Sequence, residues 1–148
     1  KQGIEQTTWF ARNEIIQKEP KVIFDVGHNE SGIKGFLDYF NTINNTGTSI
    51  LILSLQRRKN IMNIVSQIFK SFDVIICCET KNLRTMTIDE ISFQMGQSEK
   101  IMYIKSPIDA IHKGLTLLKK NDDAMAIVGT HYFGEPISTI FNKSFNTL

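Results

Sequence analysis

Lys21-Val22-Ile23-Phe24-Asp25-Val26-Gly27-His28-Asn29 decides the reading of this chain. Val22 to Val26 is an apolar run between Lys21 and Gly27, as expected for a strand buried on both faces. Ile33, Phe36, Leu37 and Phe40 follow at helical spacing and give one apolar helix face. The two halves together are one strand–turn–helix unit, and its turn carries a carboxylate, a glycine, an imidazole and an amide.

Outward from this unit the same alternation recurs. Ser49 to Leu55 reads as a second buried strand, after a turn over Asn44 to Thr48. Ile61, Ile64, Val65, Ile68 and Phe69 form a second amphipathic helix face. Val74 to Cys78 is a third strand. Thr87 and Glu90 have capping-box spacing ahead of a short helix with Ile88, Ile91 and Met95 on its inner face. Ile101 to Ile104 is the fourth strand. Ser106 is the predicted N-cap and Pro107 the first residue of a helix carrying Ile108, Ile111, Leu115 and Leu118. Ala124 to Val128 is the fifth strand, ending at Gly129 and Thr130, and Pro136 to Phe141 is a closing helix. Five continuously apolar strands alternating with helices predict a three-layer, Rossmann-like α/β domain with a mainly parallel sheet. A short extended segment is expected over Arg12 to Gln17, and the polar residues 1–8 read as a linker.

Size and composition agree with this class. The chain has 148 residues and a formal net charge of +2, which suits one soluble domain and argues against a nucleic-acid or membrane partner. The single basic run, Arg57-Arg58-Lys59, is short. Cys77 and Cys78 are adjacent, so as strand residues they point to opposite faces; they read as buried thiols of a reducing compartment rather than a disulfide or zinc site. No signal peptide and no apolar stretch long enough for a bilayer is present, and the expected location is cytoplasmic.

In an open parallel sheet, ligands bind beyond the C-terminal ends of the strands. Those ends carry Asp25 to Asn29 on the first strand, Ser54 and Gln56 to Lys59 on the second, and Gly129, Thr130 and His131 on the fifth. A carboxylate at a strand tip suits ribose hydroxyls, while a glycine and a helix N-terminus suit an anion. The alternative is that Asp25 or Asn29 caps the helix. His28 has the chemistry of a general base, a donor to a carboxylate or a metal ligand, and His112 reads as a surface residue. There is no G-x-x-x-x-G-K-[ST] phosphate loop and no G-x-G-x-x-G. Arg57 and Arg58 leave room for an NADP phosphate, which keeps an NADP-binding Rossmann domain as one alternative.

Trp9-Phe10-Ala11-Arg12, followed by Val22-Ile23-Phe24-Asp25-Val26-Gly27-His28-Asn29, resembles the start of the C-terminal domain of folylpolyglutamate/dihydrofolate synthases, in the Mur ligase superfamily. Ile127-Val128-Gly129-Thr130-His131-Tyr132 resembles that family's late strand, so the likeness brackets nearly the whole chain, 1–148. Ala11 stands where the family has glycine, and Arg58-Lys59-Asn60 where it has Asp-Lys-Asp. The resemblance implies an ATP-dependent ligase that adds L-glutamate to a folate or dihydropteroate through an acyl phosphate. It implies ATP contacts at Arg12 and Asp25, and His28 and Thr130 near the glutamate and the reaction centre. Asn29 and Lys59 are implied as glutamate-site or turn-shaping residues. A central ATPase domain, absent from this chain, would supply the phosphate loop and the Mg2+ ligands, so the chain alone is expected to be inactive. A Mur-type peptidoglycan amino-acid ligase is the nearer alternative.

Overall fold

The computed structural model describes residues 12–43, 46–81 and 83–143. The linker expected over residues 1–8, the Trp9-Phe10-Ala11 segment and part of the turn at 44–48 lie outside the described residues. Among the described residues six strands form one sheet in the order β1-β2-β6-β3-β4-β5. These are β1 (Glu14–Lys18), β2 (Lys21–Asp25), β3 (Ser49–Leu53), β4 (Val74–Cys77), β5 (Ile101–Tyr103) and β6 (Ala124–Val128). All neighbours pair in parallel except β1, which lies antiparallel on β2 at the sheet edge. The extended segment expected near Arg12 is this edge strand, two residues further along.

The helices are α1 (Glu30–Phe40), α2 (Val65–Ser71), α3 (Ile88–Met95), α4 (Pro107–Leu117) and α5 (Gly134–Phe141). Their local signals are realised as read. Thr87 and Glu90 form a complete capping box at α3, and Ser106 caps α4 with Pro107 in its first turn. Ile33, Phe36, Leu37 and Phe40 are all buried on α1; full burial of such a side chain contributes about 1.5–3 kcal/mol. Some details differ from the sequence reading: α2 starts only at Val65, after a 3-10 turn over Met62–Ile64, so Ile61 lies ahead of it. Ile108 is 36% exposed, and the inner face of α4 runs instead through Ala110, Ile111 and Gly114. The last helix begins at Gly134, preceded by a 3-10 turn over His131–Phe133.

The sheet is buried on both faces because its strands are apolar at odd and even positions alike. Ile23, Leu51, Leu53, Ile75, Cys77, Ala126 and Val128 face α1, α2 and α3. Val22, Phe24, Ile50, Ile52, Ile76, Cys78, Met125 and Ile127 face α4 and α5. Cys77 and Cys78 are free thiols in opposite layers; burial pushes Cys77 up to about 12 and Cys78 well above the ordinary thiol range, so both are inert. The chain leaves β2, lays down β3, β4 and β5 in turn, and returns across the other layer to insert β6 between β2 and β3. That return sets the tip of β6 beside the tip of β2. Among the described residues no helix is long and apolar enough to cross a membrane.

Candidate active site

The register between β2 and β6 pairs Asp25 with Val128. The residues following each strand therefore emerge side by side, and the Gly129 amide donates to the Asp25 carbonyl at 3.4 Å. Arg12, Asp25, His28, Asn29 and Thr130 thus share one sheet edge although more than a hundred residues separate the first from the last.

Asp25 is buried, and its carboxylate organises the turn. Oδ1 accepts the Gly27 amide at 2.7 Å and Oδ2 the Asn13 amide at 2.9 Å. Arg12 Nε stands 4.0 Å from Oδ2, with the arginine side chain 64% exposed and the aspartate side chain 4% exposed. Burial pushes the Asp25 carboxyl above the usual range, against the opposing pull of the Gly27 and Asn13 amides and of Arg12. Gly27 is required by close packing, because a Cβ there would lie 2.8 Å from the Gly32 carbonyl oxygen and 2.9 Å from Asp25 Oδ1. The Arg12 side chain is largely solvent-facing.

Asn29 is the N-cap of α1, its side chain accepting the Gly32 amide at 2.7 Å. It therefore shapes the turn. His28 is half-buried, with Nδ1 3.3 Å from the Val26 carbonyl oxygen. That contact suits an Nδ1–H donor and leaves Nε2 free.

At the β6 tip, Gly129 has φ +124 and faces the Ser54 carbonyl oxygen so closely that a Cβ would overlap it. Thr130 is fully buried, and its Oγ1 accepts the Tyr132 amide at 3.2 Å. The hydroxyl keeps its proton for donation. His131 next to it is exposed, its ring tilted 37° against that of Tyr132 with centroids 4.1 Å apart. Partial burial, and then the like charge of His28, push the His131 imidazole below its ordinary value. His131 was visible in the sequence as a strand-end residue, but nothing in a linear reading marked it off from its neighbours.

Lys59 stands apart from this group. It lies on the loop after β3, and its carbonyl accepts Gln94 Nε2 at 2.9 Å. The Gln94 carbonyl in turn takes the Ile61 amide at 2.8 Å, and Arg57 pairs with Glu90 at 3.4 Å. Arg58, at φ +67, is held in the left-handed region within the same loop. Arg57 and Lys59 are thus tied to α3, and among the described residues no ion pair joins the basic run to the β2 and β6 tips. Gln94 was not singled out by sequence, since its partners lie more than thirty residues away. His112 is exposed on α4. Among the described residues no three His, Cys, Asp or Glu side chains group closely enough to hold a metal ion.

Comparison with known proteins supplies the context for this edge. The family model for the Mur ligase, glutamate ligase domain, matches residues 11–131. A dihydrofolate synthase/folylpolyglutamate synthase of Buchnera aphidicola subsp. Baizongia pistaciae (strain Bp) is 26% identical over 134 residues, covering 86% of this chain and 29% of that protein. The chain therefore spans under a third of that relative. Folylpolyglutamate synthase of Mycobacterium tuberculosis, solved with ADP and AMPPCP, superposes with a TM-score of 0.79 at 17% identity over 90% of this chain and 32% of that one. FolC of E. coli, solved with DHPP and ADP, gives a TM-score of 0.74 at 17% identity, covering 89% and 30%. These two likenesses establish the shared fold.

Proposed function

Because the chain belongs to the Mur ligase glutamate ligase domain family, matched across residues 11–131, we propose that it is the C-terminal part of an ATP-dependent ligase. That ligase adds L-glutamate to a folate or dihydropteroate. The observation that carries the reading is the β2 tip. The Asp25-Val26-Gly27-His28-Asn29 turn is held by its own carboxylate, with Arg12 drawn to the same carboxylate and the Gly129-Thr130 tip alongside. The sequence relative favours the folate branch over a peptidoglycan ligase, since it is a dihydrofolate synthase/folylpolyglutamate synthase.

The chemistry asks two things of such an edge. A carboxylate oxygen of the acceptor attacks the γ-phosphorus of ATP, the bond to ADP breaks, and an acyl phosphate forms. The glutamate amine then attacks the acyl carbon, inorganic phosphate leaves with the C–O bonding pair, and the amine gives up a proton. In this proposal Arg12 offers a permanent cation to the phosphates. Asp25 holds that cation and the Gly27 amide in place at the nucleotide. His28 Nε2 and the Thr130 hydroxyl stand on the glutamate side, with Asn29 setting the turn. Mg2+ and the phosphate loop belong, on this reading, to a central ATPase domain that closes on the edge, in a cytoplasmic enzyme.

The test is phosphate release from ATP, Mg2+, L-glutamate and either a reduced folate or dihydropteroate. The parent enzyme should turn over and this chain alone should not. Arg12→Ala in the parent enzyme should lower kcat/KM for ATP by about ten- to a hundredfold, the loss of one charge-assisted contact of about 1.5–3 kcal/mol. Unchanged ATP kinetics in that variant would overturn the assignment.

A further inference from the structure

Resting on the ligase reading, we propose that His28 and His131 form one anion-binding pair at the mouth of the edge, with His131 as a further ligand-binding residue for a phosphate or carboxylate group. The geometry comes from the sheet. Asp25 and Val128 are register partners on adjacent parallel strands. His28 and His131 each stand three residues beyond them, and the Gly129 amide on the Asp25 carbonyl keeps the two tips side by side. Thr130, between strand and imidazole, is buried and caps the turn, which leaves His131 as the exposed polar side chain of that tip. Each ring has a fixed setting, His28 on the Val26 carbonyl and His131 on the Tyr132 ring.

Among the described residues neither histidine makes an ion pair with a carboxylate. The titratable groups around them are Asp25 and Arg12 on the β2 side, Tyr132 on the same turn, and Glu135 in the first turn of α5. Asp25 is already engaged by the Gly27 and Asn13 amides and by Arg12. The His131 imidazole is pushed down first by partial burial and then by the like charge of His28. Two imidazoles at one sheet edge become compatible as cations once an anion sits between them. Anion binding and proton uptake are then linked, each favouring the other.

The experiment is a histidine side-chain NMR titration of this chain with pH. It is run without added anion, with sulfate as the phosphate stand-in, and with L-glutamate as the carboxylate source. Either anion should raise the midpoints of both histidines, and the more effective one identifies the source. His28→Gln should raise the His131 midpoint in the free chain by removing the like charge. His28→Gln and His131→Gln should each weaken anion binding by about tenfold, the loss of one charge-assisted bond. The amide spectrum checks that each variant is folded, and His131→Asn serves as the second variant if His131→Gln is not. A His131 midpoint unmoved by His28→Gln, or histidines that respond to neither anion, would overturn the pair. This outcome is separable from the ligase reading, which stands or falls on Arg12 and ATP in the parent enzyme.

Discussion

Asp25→Ala should destabilise the fold, and the structure gives the size of the effect. The carboxylate satisfies two amides, Gly27 at 2.7 Å and Asn13 at 2.9 Å. A buried donor left without a partner costs about 1–3 kcal/mol. Gly27 is buried and bears that cost; Asn13 is exposed and can turn to water. The ion pair with the exposed Arg12 adds little to stability. Against these losses, the variant also removes a buried charge. Because burial raises the Asp25 carboxyl in the folded state, the stabilisation linked to it is present in full below the unfolded value and is lost as pH rises through the folded one. At neutral pH the ionised group therefore carries a desolvation cost that alanine lacks. The net expectation is a loss of about 1–2 kcal/mol, a large share of the roughly 5–15 kcal/mol that holds a domain together. Urea unfolding of the chain followed by circular dichroism measures it, with amide exchange at Gly27 as the local readout. Asp25→Asn, which keeps one acceptor oxygen, should fall between wild type and alanine. A loss below about 1 kcal/mol, with Gly27 exchange unchanged, would refute the claim that this carboxylate builds the turn.

Other substitutions probe the rest of the edge and its supports. Gly129→Ala should cost more than about 3 kcal/mol, since the new Cβ meets the Ser54 carbonyl and φ is +124; a melting temperature within a few degrees of wild type would contradict the packing. Asp123 accepts the amides of Lys120, Thr48 and Lys119, which hold its carboxyl below the usual range. That contribution is present above the unfolded value and lost as pH falls through the folded one. The stability gap between wild type and Asp123→Asn should therefore close on acidification, and a gap constant with pH would exclude this. Gln94→Ala frees Lys59 and Ile61 from α3, and should raise amide exchange at Ile61 while leaving Gly27 and Gly129 protected; coupled exchange at both places would show that the two regions are not independent.

The order of strands and helices, the two-sided burial of the sheet and the caps at Thr87 and Ser106 were all legible in the residues alone. Each depends on a local pattern that one face of an element imposes on its own segment: an apolar run, a 3.6-residue period, a hydroxyl ahead of a first turn. The β2 turn was legible for the same reason, its carboxylate and glycine lying two residues apart. Several features had no local signal. Asp25 could be read as facing a ligand or as capping a helix, and the fold adds a third use, accepting the Asn13 amide from a different strand end. The pairing of His28 with His131 depends on β6 inserting between β2 and β3, which no segment specifies by itself. The same holds for Gly129 against Ser54 and for Gln94 against the loop at Lys59. Local chemistry determines which elements form, because each residue feels its neighbours first. Which tips meet is decided only when the layers close and buried polar groups must find partners across the sheet.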